Sequence, residues 1–136
     1  MIIKLNQFKS HEDSRGGLVS LEADINIPFR IARVYYLFNT KNNVKRGMHA
    51  HYNLKQMVIA VSGSCKFLLD NGKDRHEILL NDPKQGLLID SLIWREMYDF
   101  SHDCVLMVLA DAHYDELDYI RDYNIFLQFA NADSRL

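Results

Sequence analysis

The sequence predicts an all-β fold, a small antiparallel barrel of the double-stranded β-helix or jelly-roll type, with one C-terminal α-helix. Short runs rich in Val, Ile, Leu and aromatic residues recur between turn signals as far as Ala110, which is typical of antiparallel barrels. Beyond Ala110 the apolar residues follow a helical spacing. A chain of 136 residues is long enough for one core and too short for two. We therefore predict a single domain over residues 1–136, with strands over about 1–110 and the helix over about 115–130.

Seven runs are the strand candidates, and tight turns separate several of them. Asn71-Gly72 is the clearest hairpin turn because both residue types tolerate a positive φ, and Ser62-Gly63-Ser64 is a second tight connection. Residues 1–8 are compatible with a further strand, at an edge that needs a partner. The seven runs are Leu18–Glu22, Ile31–Asn39, Lys55–Ser62, Cys65–Leu69, Glu77–Leu80, Gly86–Ile89 and Cys104–Ala110.

The predicted helix begins at Asp115, which caps its first turn, and ends near Ala130. Leu117, Ile120 and Leu127 are three or seven residues apart, so they form an apolar stripe. We expect this stripe to cover the barrel, as the apolar face of an amphipathic helix usually does.

Composition and charge exclude several functions. The formal charge of -2 gives no bulk attraction for nucleic acid or an anionic membrane, so neither is an expected partner. The sequence has no run of about eighteen apolar residues to span a bilayer, and its N-terminus lacks the features of a secretory signal. Cys65 and Cys104 lie in apolar runs and are expected to be buried free thiols. A cytoplasmic location is therefore expected.

The stretch Arg46-Gly47-Met48-His49-Ala50-His51 resembles the metal-binding motif of metal-dependent cupins, a family of small β-barrel proteins. Residues two apart in a strand share a face, so both imidazoles point into one space. The position of the family's Glu is Gln56, a neutral amide, and the spacing from Gly86 places Met97 where a last His ligand is expected. We therefore predict no metal and a site for proton transfer at His49 and His51, since His titrates near neutrality.

Arginines and tyrosines supply the candidate substrate contacts. Arg15, Arg33, Arg46 and Arg95 each lie in or beside a predicted strand, and several of them meeting at a barrel mouth would clamp phosphate oxygens. Alternation places Tyr35 on the face of Arg33, with a phenol that can bind a sugar hydroxyl or assist proton transfer. A register shift of one would put Tyr36 in its place.

The opposite face of the same strand, Val34, Tyr36 and Phe38, is expected to pack against another layer. Residues 94–100 are interpreted as a connection between strands. They form a packed corner or, through Trp94 and Tyr98, the wall of a pocket that stacks a base or a sugar. His11, His76, His102 and His113 lack such a context and are expected at the surface.

Taken together, these motifs resemble those of the nucleotide-sugar 3,4-ketoisomerases of the cupin superfamily, which act on dTDP-4-keto-6-deoxyglucose. The resemblance covers almost the whole chain. It rests on Asp13-Ser14-Arg15-Gly16, Asn26-Ile27-Pro28-Phe29, Arg33-Val34-Tyr35-Tyr36, the His49 and His51 stretch, Gly63-Ser64-Cys65, Gly86-Leu87, Trp94-Arg95-Glu96-Met97, Tyr114-Asp115-Glu116 and Asp118-Tyr119-Ile120-Arg121.

The resemblance implies a metal-free and cofactor-free isomerisation of a dTDP-linked 4-keto-6-deoxyhexose through an enediol, in the synthesis of 3-amino-3,6-dideoxyhexoses for lipopolysaccharide or S-layer glycans. We expect His49 to be the base at C3 and His51 to stabilise the enediolate oxygen and relay the proton to C4. Tyr35 and Arg46 would orient hydroxyls and the oxyanion, and Arg33 would contact the diphosphate. Arg95 and Gln56 are further candidates for substrate binding.

The resemblance leaves several alternatives. Arg15 resembles one subgroup of the family, whereas Arg95, where others carry His, resembles the other, so the C4 configuration of the product stays open with a slight preference for galacto. A homodimer with exchanged N-terminal strands is also implied. The rival functions are a non-catalytic cupin that binds a sugar nucleotide, a 3,5-epimerase-like cupin, and a metal-dependent cupin oxygenase that uses His49 and His51.

Overall fold

The computed structural model describes residues 3–132, and its main body is two five-stranded antiparallel sheets that share one core. The strands are β1 (Lys4–Gln7), β2 (Ser10–Asp13), β3 (Gly16–Val19), β4 (Arg33–Leu37), β5 (Arg46–His51), β6 (Gln56–Ser62), β7 (Cys65–Asp70), β8 (Arg75–Leu80), β9 (Gln85–Ile89), β10 (Trp94–Tyr98), β11 (Val105–Ala110) and β12 (Tyr119–Ile120), and the helix is α1 (Tyr123–Ala132). The first sheet has the order β1-β9-β6-β11-β4 and the second β12-β5-β10-β7-β8, while β2 and β3 form a separate hairpin.

Strand alternation explains how the first sheet is buried on two sides. In β11, Leu106 and Val108 face the core between the sheets. Leu109 faces the other way, into an outer layer with Ile27 and Phe29. Because both faces are covered, β11 is a continuous apolar run in the sequence.

Most of the predicted strands are confirmed, with ends that differ by one or two residues: β4, β6, β7, β8, β9 and β11. The Asn71-Gly72 turn joins β7 to β8, with Gly72 at φ +93°. Gly63 joins β6 to β7 at φ +67°. Cys65 and Cys104 are buried and free, as predicted. His11, His76, His102 and His113 are exposed, also as predicted.

The prediction of a strand over Leu18–Glu22 is wrong in its extent. The structure instead has a hairpin in which β2 pairs with β3, and β3 ends at Val19. The hairpin turns where the backbone N–H of Arg15 donates to the Asp13 carboxylate, at 2.8 Å. After Val19 the Asn26 side chain holds an irregular loop, since it accepts from the Glu22 N–H.

The edge strand expected in residues 1–8 corresponds to β1; residues 1 and 2 lie outside the described residues. Within the chain, β1 pairs antiparallel with β9, with Lys4 opposite Leu88. The N-terminal strand therefore has a pairing partner on its own barrel.

Residues 94–98 are not a connection, and the prediction that Trp94 and Tyr98 line a pocket is wrong, although Arg95 and Met97 of the same segment do line a small cavity. They form β10, which pairs with β5 on one side and with β7 on the other. Trp94 is 4% exposed and packs against Tyr123 and Phe126 of the helix. Tyr98 instead hydrogen-bonds Glu77.

The helix begins at Tyr123 rather than at Asp115, so the predicted start is wrong. Asp115 does cap a turn, but it is the short 3-10 turn Glu116–Asp118. Tyr119 and Ile120 then pair with β5, and Asp122 accepts from the N–H groups of the first helical turn. Leu117 is 87% exposed, so the expected apolar stripe does not include it. Within residues 3–132 the structure contains no helix with the length and apolarity needed to cross a bilayer.

Candidate active site

His49 and His51 lie side by side on the inward face of β5. Their ring centroids are 4.8 Å apart and the rings are nearly perpendicular. His51 is 1% exposed, and the Tyr119 ring lies 4.9 Å from the His49 ring and 4.4 Å from the His51 ring. The structure thus brings the two predicted imidazoles together and covers them with an aromatic ring that the sequence analysis did not identify.

The floor of the site is a chain of hydrogen bonds that joins three predicted residues. Arg95 is opposite His49 in the β10–β5 pairing and is 3% exposed. It donates through Nη1 to Gln56 Oε1 and through Nη2 to the Ile93 carbonyl, at 3.0 Å. Gln56 Nε2 donates in turn to the Tyr35 hydroxyl, at 2.9 Å. This fixes the guanidinium beside the imidazole pair.

The register places Tyr35 in the site. Tyr35 and Arg33 line one cavity together, whereas Tyr36 is 65% exposed on the opposite face of β4. Val34 and Phe38 are 54% and 59% exposed, so no described residue covers this face and the layer expected there is not provided by residues 3–132.

The side chains at the metal-ligand positions do not suit a divalent cation. Gln56 uses its oxygen for the Arg95 guanidinium, so the position of the missing carboxylate is already bound to a positive charge. Met97 lines the same small cavity as His49, as its spacing predicted, and offers only a thioether. Across residues 3–132 the structure contains no group of three or more His, Cys, Asp or Glu side chains arranged to hold a metal.

Burial and positive charge keep both rings neutral at physiological pH. Burial, and then the Arg95 charge, lower the pKa of His49 to about 2 and that of His51 to about 3. Burial raises the pKa of Tyr35 and lowers that of Arg95 to about 10. Neutral imidazoles beside a charged guanidinium are arranged to accept protons while the guanidinium stabilises nearby negative charge.

Two cavities open on either side of Tyr119. One, of about 400 Å³, is lined by His49, Tyr35, Arg46 and Arg121. The other, of about 230 Å³, is lined by His51, Asn53, His113 and Asp118. Arg33 and Tyr119 line both.

Aromatic and acidic side chains hold Arg33 and Arg121 in the walls of these cavities. The Arg33 guanidinium lies 5.2 Å from the Tyr35 ring centroid and 5.8 Å from that of Tyr114. Arg121 lies 4.3 Å from the Tyr119 ring centroid and forms two 3.0 Å hydrogen bonds with Glu116. The predicted arginine cluster therefore forms around Arg33 and Arg46, and Arg121 joins it.

Arg15 is the predicted site residue that the chain does not bring to these cavities. It lies at the tip of the β2–β3 hairpin with its side chain 88% exposed, and its guanidinium pairs with Asp13 at 2.6 Å. Within residues 3–132 it lines neither of the two cavities.

Sequence reasoning missed Asp118, whose carboxylate Oδ2 lies 3.0 Å from His51 Nδ1. The two residues are 67 positions apart, so no local spacing connects them. Tyr119 was missed for the same reason, because it reaches His51 through the pairing of β12 with β5. The only sequence signal was the run Asp118-Tyr119-Ile120-Arg121.

The sequence profile of the FdtA family, described as "WxcM-like, C-terminal", matches residues 1–131. The chain belongs to the FdtA family. A TDP-4-oxo-6-deoxy-alpha-D-glucose-3,4-oxoisomerase from Aneurinibacillus thermoaerophilus is 50% identical over 126 residues, which cover 93% of this chain and 91% of that protein. The resemblance to the ketoisomerases is thereby confirmed at the level of the family.

Solved structures similar to this FdtA-family chain include two ketoisomerases. A 3,4-ketoisomerase from Helicobacter canadensis has a TM-score of 0.93 at 44% identity, with 96% of this chain and 98% of that chain covered. A mutant of the 3,4-ketoisomerase QdtA from Thermoanaerobacterium thermosaccharolyticum, in complex with TDP-4-keto-6-deoxyglucose, has a TM-score of 0.95 at 42% identity, with 98% and 97% covered.

A more distant likeness confirms the predicted fold class. The RmlC epimerase from Mycobacterium tuberculosis has a TM-score of 0.71 at 18% identity, with 85% of this chain and 66% of that chain covered. At this identity the likeness shows the fold alone, which is that of the RmlC cupin epimerases. The FdtA-family chain thus has the predicted all-β barrel fold with one C-terminal helix.

Proposed function

We propose that this protein is a 3,4-ketoisomerase that converts TDP-4-keto-6-deoxyglucose into the corresponding TDP-3-keto-6-deoxy sugar. The observation that carries the proposal is the neutral pair of half-buried His49 and buried His51, whose ring centroids lie 4.8 Å apart beside a fixed guanidinium, in a chain whose relatives are isomerases of this sugar nucleotide. A module that only binds the nucleotide has no need for two unprotonated imidazoles at the centre of its cavity.

The reaction needs a base, an acid and a stabilised oxyanion. The C4 ketone acidifies the proton on C3; His49 takes that proton, and the C–H electron pair forms the double bond of an enediolate across C3 and C4. The C3 hydroxyl then loses its proton, while C4 gains one proton on carbon and one on its oxygen. The two protons removed at C3 are thus returned at C4, so the ketone moves to C3 and the sugar is neither oxidised nor reduced overall. His51 stabilises the enediolate oxygen and helps to relay the proton to C4, while Tyr35 and Arg46 orient hydroxyls and the oxyanion.

The diphosphate of the substrate tunes the bases as it binds. Arg33 and Arg46 line the larger cavity with Arg121, and guanidinium forks suit phosphate oxygens. Arg121 is among the charges that lower the pKa of both rings, and Arg33 is among those that lower the pKa of His51. A bound diphosphate would counter these charges and raise both pKa values towards neutrality, where a general base is most effective.

Arg95 and Gln56 contribute from the floor of the site, where the buried guanidinium faces the developing negative charge. We propose that the product has the galacto configuration at C4, on the basis of Arg15, although Arg95 resembles the other subgroup of the family. The proton and carbon NMR spectrum of the isolated product decides the configuration, since H4 couples differently to H5 in the two epimers.

Incubation with TDP-4-keto-6-deoxyglucose in deuterated water tests the proposal. We expect deuterium at C4 of a 3-keto product, because the proton passes through exchangeable groups. His49→Asn is expected to lower turnover by about two to four orders of magnitude, the usual cost of losing a general base. His76→Asn, at an exposed histidine of β8, is the matched control and is expected to keep wild-type turnover. An unchanged sugar, or turnover of His49→Asn within about threefold of wild type, would overturn the proposal.

We also propose that two copies form a homodimer with exchanged N-terminal strands. Val34, Tyr36 and Phe38 give the edge strand β4 an apolar outer face that residues 3–132 leave uncovered. Exchange would keep the β1–β9 pairing and form it between chains, so its hydrogen bonds are preserved.

Sedimentation equilibrium tests this assembly, with an expected mass twice the 15.9 kDa of the chain. Tyr36→Asp is expected to shift the population towards the monomer. Leu79→Asp, at an apolar residue of β8 that is 52% exposed, is the matched control and should leave the mass unchanged. A wild-type mass near that of one chain at micromolar concentration would contradict the dimer.

We further propose that residues 1–136 act as one domain, that the protein works in the cytoplasm, and that its product supplies 3-amino-3,6-dideoxyhexoses for lipopolysaccharide or S-layer glycans. The buried free thiols of Cys65 and Cys104 support a reducing compartment. A 3-keto sugar is the form that an aminotransferase needs to place an amino group at C3, which supports the glycan role.

A further inference from the structure

The two nitrogens of His51 face different surroundings. Nδ1 lies 3.0 Å from the Asp118 carboxylate. Nε2 is buried and finds no hydrogen-bond partner among residues 3–132. A neutral imidazole carries one proton, and the side that faces an acceptor determines which nitrogen holds it. His51 therefore has an environment that selects one tautomer.

The carboxylate that makes this selection is itself fixed. Asp118 Oδ1 accepts from the backbone N–H of Asn53, at 2.9 Å, so Oδ2 is left for the ring. The Asp118 carbonyl accepts from the N–H of Tyr52 and its N–H donates to the Asp115 carbonyl, both at 3.0 Å. These bonds tie the 3-10 turn to the end of β5, so neither the carboxylate nor the ring is free to rotate independently.

We propose that Asp118 is a positioning residue that holds His51 as the Nδ1–H tautomer and leaves the lone pair of Nε2 bare. This rests on the proposed function and deepens it. A bare Nε2 accepts a proton before it can donate one. In the isomerisation, Nε2 takes the proton of the C3 hydroxyl as the carbonyl forms there. The resulting imidazolium stabilises the charge on the C4 oxygen and then gives that proton to the C4 oxygen.

The variant Asp118→Asn reverses the selection by a defined route. The N–H of Asn53 still needs an acceptor, so the amide oxygen of the new side chain turns towards it. The amide NH2 then faces Nδ1, which must become an acceptor, and the proton moves to Nε2. The same substitution beside a catalytic histidine in serine proteases costs about four orders of magnitude in kcat through the wrong tautomer.

Two measurements test the proposal. The first is the ¹⁵N spectrum of the imidazole nitrogens in the ligand-free protein, with His51 assigned by the signals lost in His51→Gln. We expect the Nδ1–H tautomer in the wild type and the Nε2–H tautomer in Asp118→Asn. The second is turnover, where Asp118→Asn is expected to lose between about 10² and 10⁴ in kcat with KM within about threefold. Asp118→Glu, which keeps a carboxylate, is expected to recover part of that loss.

Asp122→Asn is the matched control, because Asp122 caps α1 outside the cavities and Asn caps helices equally well. It is expected to keep the wild-type tautomer and kcat. An Nε2–H tautomer in the wild type would overturn the proposal even if the variant fails to fold. An Nδ1–H tautomer in Asp118→Asn, or a kcat of that folded variant within about threefold of wild type, would overturn it as well. A wild type that is inert towards the sugar nucleotide would overturn the proposed function and leave the tautomer to be decided by the spectrum.

Discussion

Lowering the pH from 7 to 5 is predicted to destabilise the protein through its two neutral imidazoles. The pKa of His49 is about 2 and that of His51 about 3 in the folded protein, against 6.5 for an ordinary imidazole. Because the folded values lie below the unfolded one, the unfolded chain binds more protons in this range. The contribution of each ring to stability is complete above about pH 7 and is lost as the pH falls through 6.5 towards the folded pKa.

The size of the loss follows from proton binding to the unfolded chain. An imidazole with a pKa of 6.5 is almost fully protonated at pH 5, which favours unfolding by about 2 kcal/mol per ring relative to pH 7. The two rings together therefore lower the free energy of unfolding by about 4 kcal/mol. This figure does not depend on the exact folded values, provided that they stay below about 4.

Urea unfolding at pH 7 and pH 5, at one chain concentration, measures this loss. His49→Gln and His51→Gln are each expected to reduce the pH-dependent loss by about 2 kcal/mol relative to wild type. His76→Gln, at an exposed histidine, is expected to leave it unchanged. Carboxylates that contact neither ring contribute equally to all four proteins and cancel. Equal losses in the wild type and in both site variants would show that the rings are solvated, and would refute the account of the site.

Three further predictions concern metal, substrate and backbone. Turnover is expected to be unchanged in chelator. The variant Gln56→Glu is expected to bind zinc only substoichiometrically by elemental analysis, because the Arg95 guanidinium already holds the side-chain oxygen at this position. One zinc per chain would refute this prediction. Arg33→Gln is expected to raise KM at least tenfold, about 1.4 kcal/mol, and Arg30→Gln, exposed and outside the cavities, to leave it unchanged; equal KM values would remove Arg33 from the diphosphate site. Gly63→Ala is expected to cost about 2–4 kcal/mol in thermal unfolding, because φ is +67° and the new Cβ would lie 2.8 Å from the Cys104 Cα; an unchanged Tm would contradict this.

The sequence was sufficient to predict the strands whose burial follows a regular pattern. The strand β6 and its partner β11 are apolar on both faces and flanked by turn residues, so their existence could be predicted without tertiary information. The strand β10 was missed because it carries Arg95 and Glu96, polar residues that normally indicate a connection. Arg95 is buried only because Gln56 and the Ile93 carbonyl accept from it, and those partners are brought near by the fold.

The start of the helix illustrates a competition between local signals. Asp115 and Asp122 both have the side chain of an N-cap, and both cap a turn. The two-residue strand β12 decides between them, since its pairing with His51 and Ala50 draws the chain out of a helical path. Pairing between residues about 70 positions apart leaves no periodic trace, so the boundary could not be read from the sequence.

The difference between local and long-range contacts also separates the site residues that were predicted from those that were missed. His49 and His51 were found because strand geometry fixes which residues share a face over a short spacing, and Gln56 because it stands at the position of the Glu in the cupin metal motif. Asp118 and Tyr119 reach the same space through one long-range strand pairing. The two histidines at the centre of the site are thus close together in the sequence, whereas the residues that orient and cover them, Asp118 and Tyr119, are distant in the sequence.

The charge of Arg95 has two opposing effects on the proposed reaction. It lowers the pKa of both histidines, which weakens them as bases, and from the small cavity that it lines with His49 its positive charge would stabilise an enediolate oxygen. A metal ion at this position would have the same two effects, so Arg95 can do the electrostatic work of a Lewis acid without dissociating from the protein. The weakening of the bases is relieved only when the diphosphate neutralises other arginines. The protein is therefore expected to be a poor base until its substrate is bound, which favours proton abstraction from the bound sugar.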